Sequence, residues 1–246
     1  MARNFWKVVN DMIKEADVIL EVLDSRLIEQ TRNTEVEKKI EDAGKPIIYV
    51  FNKCDLVDKK FLEKKKKRVK HSVFVSSTGM LGTTMLREKI LAVAKKDKVK
   101  VGVVGYPNTG KSSLINALAG KAKAKASSES GYTKGLQYVK ADNRIMLLDT
   151  PGVVPFKESD EVKHALIGTL SHHKLKDPDL SAMALIEELD GLVEQHYGIP
   201  FTDDPESVIE EVAKKTGKLK SGGVPDVDQA SRIIIKDWQT GKIKVL

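Results

Sequence analysis

The chain has 246 residues, enough for one large domain or for a domain of about 150 residues with a smaller one beside it. Its hydrophobic fraction of 41% supports a packed core, while its single cysteine, Cys54, excludes a disulfide framework and fits a reducing compartment. No apolar run reaches membrane-spanning length and the first residues lack the apolar core of a signal peptide. We therefore expect a cytoplasmic protein without a membrane partner.

The net charge of +7 is unevenly distributed along the chain. Residues 1–155 hold 30 Lys and Arg against 18 Asp and Glu, a net charge of +12, whereas residues 156–246 carry a net charge of −5. Much of the positive charge lies in residues 59–70 and 95–100. Such runs indicate either a solvated helix face or a surface for a polyanion such as RNA, and the sequence leaves both open.

Helix and strand patterns alternate over the first 150 residues, which predicts a parallel sheet covered by helices, with ligands at the carboxyl ends of its strands. The first strand is expected to be buried on both faces except near Glu21. Residues 121–135, rich in Lys, Ala, Ser and Gly, are predicted to be mobile. The predicted helices are 5–15, 35–43, the lysine-rich stretch, 83–95 and a helix after residue 110; the predicted strands are 17–24, 46–51, 72–75, 99–104, 136–141 and 144–148.

The pattern changes after Pro155 and becomes helical from residue 160 onward. Breaks at Asp-Pro, Gly-Ile-Pro and Gly-Gly-Val-Pro separate the helical stretches. We therefore predict an α/β domain over 1–155 and a small all-helical domain over 156–246. The helices predicted in the second domain are 160–171, 180–197, 205–216 and 227–239.

Residues 101–113 read as an apolar strand, a glycine-rich loop and a helix start, and they contain the pattern G-x-x-x-x-G-K-[ST]. Gly105 and Gly110 allow the backbone to curl so that several N–H groups face one phosphate. Lys111 can then reach the outer phosphates, and the Ser112 hydroxyl can bind Mg²⁺. The other residues predicted to line this loop are Asn108, Thr109 and Ser113.

Residues 52–55 match N-K-x-D, the pattern expected for a guanine site. The Asp55 carboxylate can accept hydrogen bonds from the guanine ring N–H and exocyclic amine together, a pairing that adenine cannot offer. The stem of Lys53 can cover the base, and Asn52 can tie the segment to the phosphate loop. The segment Ser76-Ser77-Thr78 follows the next strand, where a backbone N–H would meet the guanine carbonyl oxygen.

Residues 149–152 match D-x-x-G, with Asp149 directed towards Mg²⁺ and the N–H of Gly152 towards the γ-phosphate. Thr133 lies between the loop helix and this motif, where a switch threonine would close on Mg²⁺ and the γ-phosphate. Together these motifs predict GTP or GDP with Mg²⁺ as the ligand. Lys111, Thr133 and Gly152 are the candidate catalytic residues.

The order of the motifs is unusual, because N-K-x-D and the serine segment precede the phosphate loop, whereas in Ras-like GTPases they follow it. The chain thus resembles the circularly permuted GTPases of the bacterial YlqF and eukaryotic nucleolar, nucleostemin-like type, which act in assembly of the large ribosomal subunit. The resemblance extends over nearly the whole chain. It is also carried by residues 3–6, 17–26, 222–226 and 237–243.

This resemblance implies a Ras-like sheet with permuted motif order and a helical C-terminal domain. It implies binding to rRNA or the large ribosomal subunit in the GTP state, and we expect a monomer. Two features depart from the family: no proline follows Arg26, and no histidine precedes His71. A catalytic role for an N-terminal histidine is therefore not transferred to this chain.

Val153 stands where Ras-like enzymes place the glutamine that orients the attacking water. We therefore expect slow intrinsic hydrolysis that a partner or a bound ion accelerates. Asn108 matches the asparagine that helps to hold K⁺ in potassium-stimulated GTPases, which makes it a candidate K⁺ ligand. Since the D-x-x-G segment leads directly into the helical domain, GTP is expected to reorient that domain.

Two other functions are compatible with these residues. The first is a GTPase switch for a protein or RNA partner outside the ribosome, which nucleotide-dependent co-sedimentation with large subunits would argue against. The second is an ATP-using phosphotransferase, for which Asp55 is the discriminating residue, because its carboxylate selects guanine.

Overall fold

The structure is a computed structural model that describes residues 2–67, 69–120, 136–150, 161–168, 172–173 and 175–245. It divides into two compact units, Met1–Glu158 and Ser159–Leu246. The predicted domain boundary between residues 155 and 156 falls outside the described residues and stays a prediction. No helix in the described part of the chain is long and apolar enough to cross a membrane.

A six-stranded sheet organises the first unit. Its strands are β1 (Val18–Asp24), β2 (Ile47–Asn52), β3 (Ser72–Phe74), β4 (Val99–Val104), β5 (Gln137–Lys140) and β6 (Ile145–Asp149). They lie in the order β3-β2-β1-β4-β6-β5, and all neighbours pair in parallel except β5, which is antiparallel to β6. The predicted α/β fold with a largely parallel sheet is confirmed.

Helices cover both faces of this sheet. They are α1 (Ala2–Glu15), α2 (Thr34–Asp42), α3 (Lys59–Lys66), α4 (Thr83–Ala94) and α5 (Lys111–Ala119). One core combines buried side chains of α4 and α5, such as Leu86 and Leu114, with strand residues including Val101. A second core places Met12 of α1 and Ile40 of α2 against the opposite face. Both faces of the central strands are therefore buried, which explains their nearly continuous apolar sequences.

The expectation of exposure near Glu21 is wrong, because this side chain in the middle of β1 has 0% exposed surface. Its Oε1 accepts a hydrogen bond of 2.8 Å from the backbone N–H of Asn33, the residue that caps α2. Burial raises the pKa of Glu21 well above its ordinary value, and the neighbouring carboxyl of Glu37 raises it further. A protonated carboxyl group costs much less to bury than a carboxylate, so the sheet interior accommodates it.

All the regular elements longer than a single β-bridge in the described part of the second unit are helices. Its helices are α6 (Glu161–Leu166), α7 (Pro178–Leu189), α8 (Leu192–Tyr197), α9 (Pro205–Lys215) and α10 (Val227–Gln239). Trp238 of α10 is fully buried, and its indole N–H donates to the carbonyl of Leu166 at 2.8 Å. This hydrogen bond joins the last helix to the first one within the unit.

The single helix predicted over 180–197 is two helices in the structure. Asp190 and Gly191, between α7 and α8, both have positive φ angles of 41° and 83°. Two consecutive left-handed residues cannot continue a right-handed helix. The sequence prediction joined the two helices because the apolar pattern continues on either side of this turn.

Candidate functional site

The motif residues collect at the carboxyl ends of the strands. Asn52 ends β2 and lies opposite Asp24, the last residue of β1, in the sheet register. Asp149 ends β6 and lies opposite Val103 of β4, whose strand runs into the glycine-rich loop. The base motif and the phosphate motif, which are about fifty residues apart in sequence, therefore lie at the same edge of one sheet.

Two glycines determine the path of the phosphate loop. Gly105 and Gly110 have φ angles of 144° and 95°, and both are tightly enclosed. A Cβ atom would lie 2.5 Å from the carbonyl oxygen of Val22 at the first position and 2.2 Å from Nδ2 of Asn52 at the second. Asn108, with φ of 63°, supplies another left-handed residue, a conformation that Asn tolerates. The loop therefore needs glycine both for its curl and for its contact with Asn52.

Lys111, the first residue of α5, folds back over this loop. Its side chain is buried, and Nζ donates to the carbonyl oxygen of Tyr106 at 2.8 Å. The hydroxyl of Thr109 donates to the same carbonyl at 2.9 Å. Burial lowers the pKa of Lys111 to about 8, although the negative charge of Asp149 acts in the opposite direction. A buried ammonium group held by a neutral carbonyl is well suited to turn towards an anion.

Asp149 is a buried carboxylate with spare acceptor capacity. Its Oδ1 is buried and has no hydrogen-bond partner among the described residues. Burial raises the pKa of Asp149 to about 6, against the opposing influence of Lys111. Ser112 and Ser113 lie half-buried in the first turn of α5. A hydroxyl and an unpaired carboxylate oxygen are ligands that Mg²⁺ accepts, so these residues fit a magnesium site.

Asn52 links three segments of the site. Its Nδ2 donates to the carbonyl oxygen of Thr109 in the phosphate loop at 2.8 Å. Its Oδ1 accepts from the backbone N–H and the hydroxyl of Ser77, at 3.2 and 2.7 Å. The side chain is buried, and both ends of the amide are used. One residue thus ties the phosphate loop to the serine segment that follows β3.

The predicted base-reading residues lie close to this link. Asp55 is exposed in a short 3-10 turn over Cys54–Leu56, and the N–H of Cys54 donates to the carbonyl of Val75 at 3.2 Å. Ser76 is buried and exchanges two backbone hydrogen bonds of 3.1 Å with Leu81, which closes a tight turn. Thr78 lies exposed within that turn. The turn and the Asp55 segment are held together by strands β2 and β3.

Lys53 has a partner that sequence reasoning missed. Its φ angle is 59°, and its Nζ donates to Oδ2 of Asp24 at 2.8 Å. The guanidinium group of Arg26 donates two hydrogen bonds to the same carboxylate, from Nε at 3.0 Å and from Nη2 at 2.7 Å. Asp24 and Arg26 form a D-x-R segment directly after β1. Both residues lie within 17–26, a stretch that carries the family resemblance, but the sequence analysis assigned neither of them a role in the site.

Thr133 and Gly152 lie outside the described residues, as does Val153. Their predicted roles at the γ-phosphate and Mg²⁺ stay predictions. The mobility predicted for 121–135 also concerns residues outside the described part.

The sequence has clear similarity to known GTPases. A family model described as "50S ribosome-binding GTPase" matches residues 100–215. A GTP-binding protein of Methanocaldococcus jannaschii is 42% identical, over 96% of this chain and 65% of that protein. Nucleolar GTP-binding protein 2 of Neurospora crassa is 33% identical, over 98% of this chain and 41% of that protein. The chain therefore spans less than two thirds of the length of these curated relatives.

Solved structures agree with this similarity. YlqF of T. maritima, in a GDP-bound structure, is 26% identical and superposes with a TM-score of 0.68, covering 96% of both chains. Its GNP-bound structure gives the same TM-score over 98% of this chain and 95% of that chain. With the permuted motif order brought to one edge of the sheet, these similarities establish that the chain belongs to the circularly permuted GTPases of the YlqF and nucleolar type.

Proposed function

We propose that this chain binds and hydrolyses GTP as a switch in assembly of the large ribosomal subunit. The observation that carries the proposal is the position of Asn52, which hydrogen-bonds to Thr109 in the phosphate loop and to Ser77 in the serine segment. Its amide joins the proposed base motif and the proposed phosphate motif into a single pocket edge. If the two motifs matched by chance, a side chain of one would not be expected to form hydrogen bonds to the other.

The base end of the site provides guanine selectivity in this proposal. The exposed Asp55 carboxylate accepts two hydrogen bonds from guanine, and the stem of Lys53 covers one face of the base. A backbone N–H of the segment Ser76-Ser77-Thr78 donates to the guanine carbonyl oxygen. Adenine presents the wrong donors and acceptors to this set and leaves the carboxylate unpaired.

The phosphate end binds the charged part of the nucleotide. Backbone N–H groups from Asn108 to Ser113 surround the phosphates, and Lys111 turns from the Tyr106 carbonyl to the outer phosphate oxygens. Ser112, Thr133 and Asp149 would hold Mg²⁺, which neutralises phosphate charge when bound. The buried, unpaired Oδ1 of Asp149 among the described residues supports this assignment. Gly152 donates its N–H to the γ-phosphate.

Hydrolysis is slow without assistance in this proposal. Val153 carries no group that could orient water, so the transition state lacks one source of stabilisation. Asn108 is the candidate ligand for K⁺, and a ribosomal partner is the second candidate source of activation. Turnover should therefore rise with K⁺ relative to Na⁺ and rise again with large subunits. Equal rates in both ions would overturn the K⁺ assignment.

Helix α3 is the proposed surface for rRNA. Asp58 caps it, and buried Leu62 attaches it to the unit. Exposed lysines along it form no ion pair with any described acidic residue: these are Lys59, Lys60, Lys64 and Lys67. Such a surface neutralises backbone phosphates without reading bases. The description of the matching family and the names of the nucleolar relatives support a ribosomal partner.

The helical unit responds to the nucleotide in this proposal. The D-x-x-G segment, which senses the γ-phosphate, is followed in sequence directly by the unit Ser159–Leu246. Loss of the γ-phosphate would release that segment and alter the contacts of the unit with its partner. Hydrogen exchange in residues 159–246 should differ between the GTP-analogue and GDP states, and identical exchange would contradict this coupling.

Nucleotide selectivity provides the central test of the site. The variant Asp55→Asn should lose GDP affinity and gain affinity for xanthosine diphosphate, because the amide reverses one hydrogen bond. Asp203→Asn, which alters an exposed aspartate of the helical unit, is the matched control. Preference for ADP over GDP in the unaltered protein would overturn the GTPase proposal in favour of an ATP-using enzyme.

Co-sedimentation with 50S-type subunits tests the partner. Replacing Lys59, Lys60, Lys64 and Lys67 by Gln should weaken binding in the GTP-analogue state and reduce the slope of log affinity against log salt by about 3. The control replaces four exposed lysines elsewhere in the first unit, at positions 7, 38, 98 and 140, with the same change of net charge. Equal losses in both variants would refute a specific α3 surface, and no binding by the unaltered protein would favour a non-ribosomal partner.

A further inference from the structure

Asp24 lies at the end of β1, beside the strand that carries the base motif. Its side chain is buried at the carboxyl edge of the sheet, and in the register it lies opposite Asn52. Its backbone N–H donates to the hydroxyl of Thr31 at 3.1 Å, and that hydroxyl donates to the carbonyl of Leu27 at 2.7 Å. The loop after β1 therefore holds Asp24 firmly in place.

The carboxylate of Asp24 is shared between two cations. Oδ1 accepts from Nε and from the backbone N–H of Arg26, at 3.0 and 3.1 Å. Oδ2 accepts from Nη2 of Arg26 at 2.7 Å and from Nζ of Lys53 at 2.8 Å. Burial alone would raise the pKa of Asp24, but the two cations outweigh it and hold the pKa well below its ordinary value. The carboxylate is therefore charged and fully engaged.

This arrangement restricts Lys53. A lysine stem with a free end samples many rotamers, and ordering it on a base costs conformational entropy. Here the backbone of Lys53 is fixed in the left-handed region and its Nζ is fixed on Asp24, so both ends of the stem are set. Burial lowers the pKa of Lys53, and the carboxylate of Asp24 counteracts that effect. Because the pair offsets its own charge, the half-buried lysine can remain charged beside the site.

We infer that Asp24 and Arg26 are positioning residues of the guanine site: Arg26 orients the Asp24 carboxylate, which holds Lys53 so that its stem is preset to cover the base. The inference rests on the proposed guanine site at residues 52–55. It gives a role to the D-x-R segment and explains why a strand remote in sequence from the phosphate loop ends in a buried ionic cluster. The trio keeps a net positive charge, which also favours an anionic ligand.

GDP titration calorimetry on the full chain tests this inference with three variants, Asp24→Asn, Lys53→Met and the double variant. Each single variant should lower GDP affinity about tenfold, because the stem loses its fixed path. The double variant should lose no more than Lys53→Met alone, since Asp24 acts through Lys53. Asp17→Asn is the matched control, because Asp17 accepts from Lys96 and Lys100 at the opposite end of the same strand. Its GDP affinity should stay within twofold of that of the unaltered protein.

Turnover separates positioning from a general loss of structure. Covering the base stabilises the ground state and the transition state equally, so Asp24→Asn should raise KM for GTP about tenfold while kcat changes by less than about twofold. Losses that multiply in the double variant, or a kcat that falls with unchanged KM, would overturn the inference.

Lys53→Met leaves the Asp24–Arg26 pair intact, so it decides the question even if Asp24→Asn fails to fold. Unchanged GDP affinity in that variant overturns the inference. Failure of the guanine site itself has a different signature. In that case the unaltered protein would not prefer GDP to ADP, and Asp55→Asn would not shift preference towards xanthosine diphosphate.

Discussion

The base end and the phosphate end of the site differ in how their buried charged groups are stabilised. At the base end, Asp24 has both Arg26 and Lys53 within hydrogen-bond distance, and its pKa is held well below the ordinary value. At the phosphate end, the Lys111 ammonium rests on a neutral carbonyl, and burial lowers its pKa to about 8. Burial likewise raises the pKa of Asp149 to about 6.

This difference indicates that the two ends acquire their order from different sources. The protein's own groups assemble the base end, so it is formed before any ligand arrives. At the phosphate end, burial works against the charged forms of Lys111 and Asp149, and bound phosphate and Mg²⁺ would reverse that effect. Nucleotide should therefore stabilise the fold mainly through the phosphate end.

Lys111→Met tests the phosphate end and should have the largest effect, changing both GDP affinity and the stability of the nucleotide-free protein. Removing the charge should weaken GDP binding by about 4 kcal/mol, roughly a thousandfold, because a buried charge contact to phosphate is lost. In the nucleotide-free protein at pH 7 the same variant should be more stable by about 2 kcal/mol, since a depressed lysine pKa means that burying the charge is costly. Calorimetry and urea unfolding measure the two changes, with Lys140→Gln as control. A variant that is both weaker in binding and less stable would contradict the contrast.

Asn52→Ala should break the connection between the two ends. The change removes three buried hydrogen bonds and leaves the Ser77 N–H and the Thr109 carbonyl without this partner. We expect the free energy of unfolding to fall by about 3 kcal/mol even without nucleotide, because unsatisfied buried groups carry the full desolvation cost. Urea unfolding of this variant beside Asn143→Ala, in an exposed turn, gives the comparison. Equal stability of the two variants would show that the link is dispensable.

Asp149→Asn should change the pH dependence of the nucleotide-free, metal-free protein. The pKa of Asp149 is about 6 in the folded chain against an ordinary value of 3.8. The folded state thus retains a proton that the unfolded state loses, and stability should fall by about 2 kcal/mol as pH rises from about 4 to 7. The asparagine variant should lack this part of the decline. Parallel unfolding curves against pH for both proteins would refute the assignment.

Cys54→Ala should have the smallest effect. Cys54 occupies the variable position of the base motif, is half-buried, and forms its hydrogen bond to Val75 through the backbone. Burial raises the pKa of its thiol, so alkylation at neutral pH should be slow. GDP affinity should stay within twofold, and stability within about 1 kcal/mol. A large loss of affinity would mean that the base end depends on this side chain.

Much of the site could be predicted from short-range patterns. The phosphate loop follows from glycine spacing, and the structure shows why each glycine is needed, since a Cβ at Gly110 would collide with Asn52. The position of Asn52 and Asp55 directly after an apolar strand was sufficient to place them at the carboxyl edge of a parallel sheet. The start of α2 beside the predicted helix 35–43 has the same kind of local cause, because the Asn33 side chain caps its first turn.

What could not be predicted depends on contacts across the sheet. Asp24 and Lys53 are far apart in sequence, and only the register of β1 with β2 brings them together. Burial raises the pKa of Glu21 and the nearby carboxyl of Glu37 raises it further, so the protonated form is favoured and no charge has to be buried. The break at Asp190 has a local cause instead: Asp190 and Gly191 form a left-handed turn, and the Asp-Gly pair is a turn signal that the continuing apolar pattern concealed.

The central position of β1 also has a consequence for biosynthesis. Glu21 of β1 lies opposite Val104 of β4, so one edge of this largely apolar strand gains its partner only after the chain has lengthened by some eighty residues. Until then the emerging chain presents a long, hydrophobic strand edge, the kind of surface that recruits other strands and aggregates. Closure of the Asn52–Thr109 hydrogen bond comes later still. The permuted order thus delays completion of the sheet, and truncated chains that stop before residue 99 should be poorly soluble.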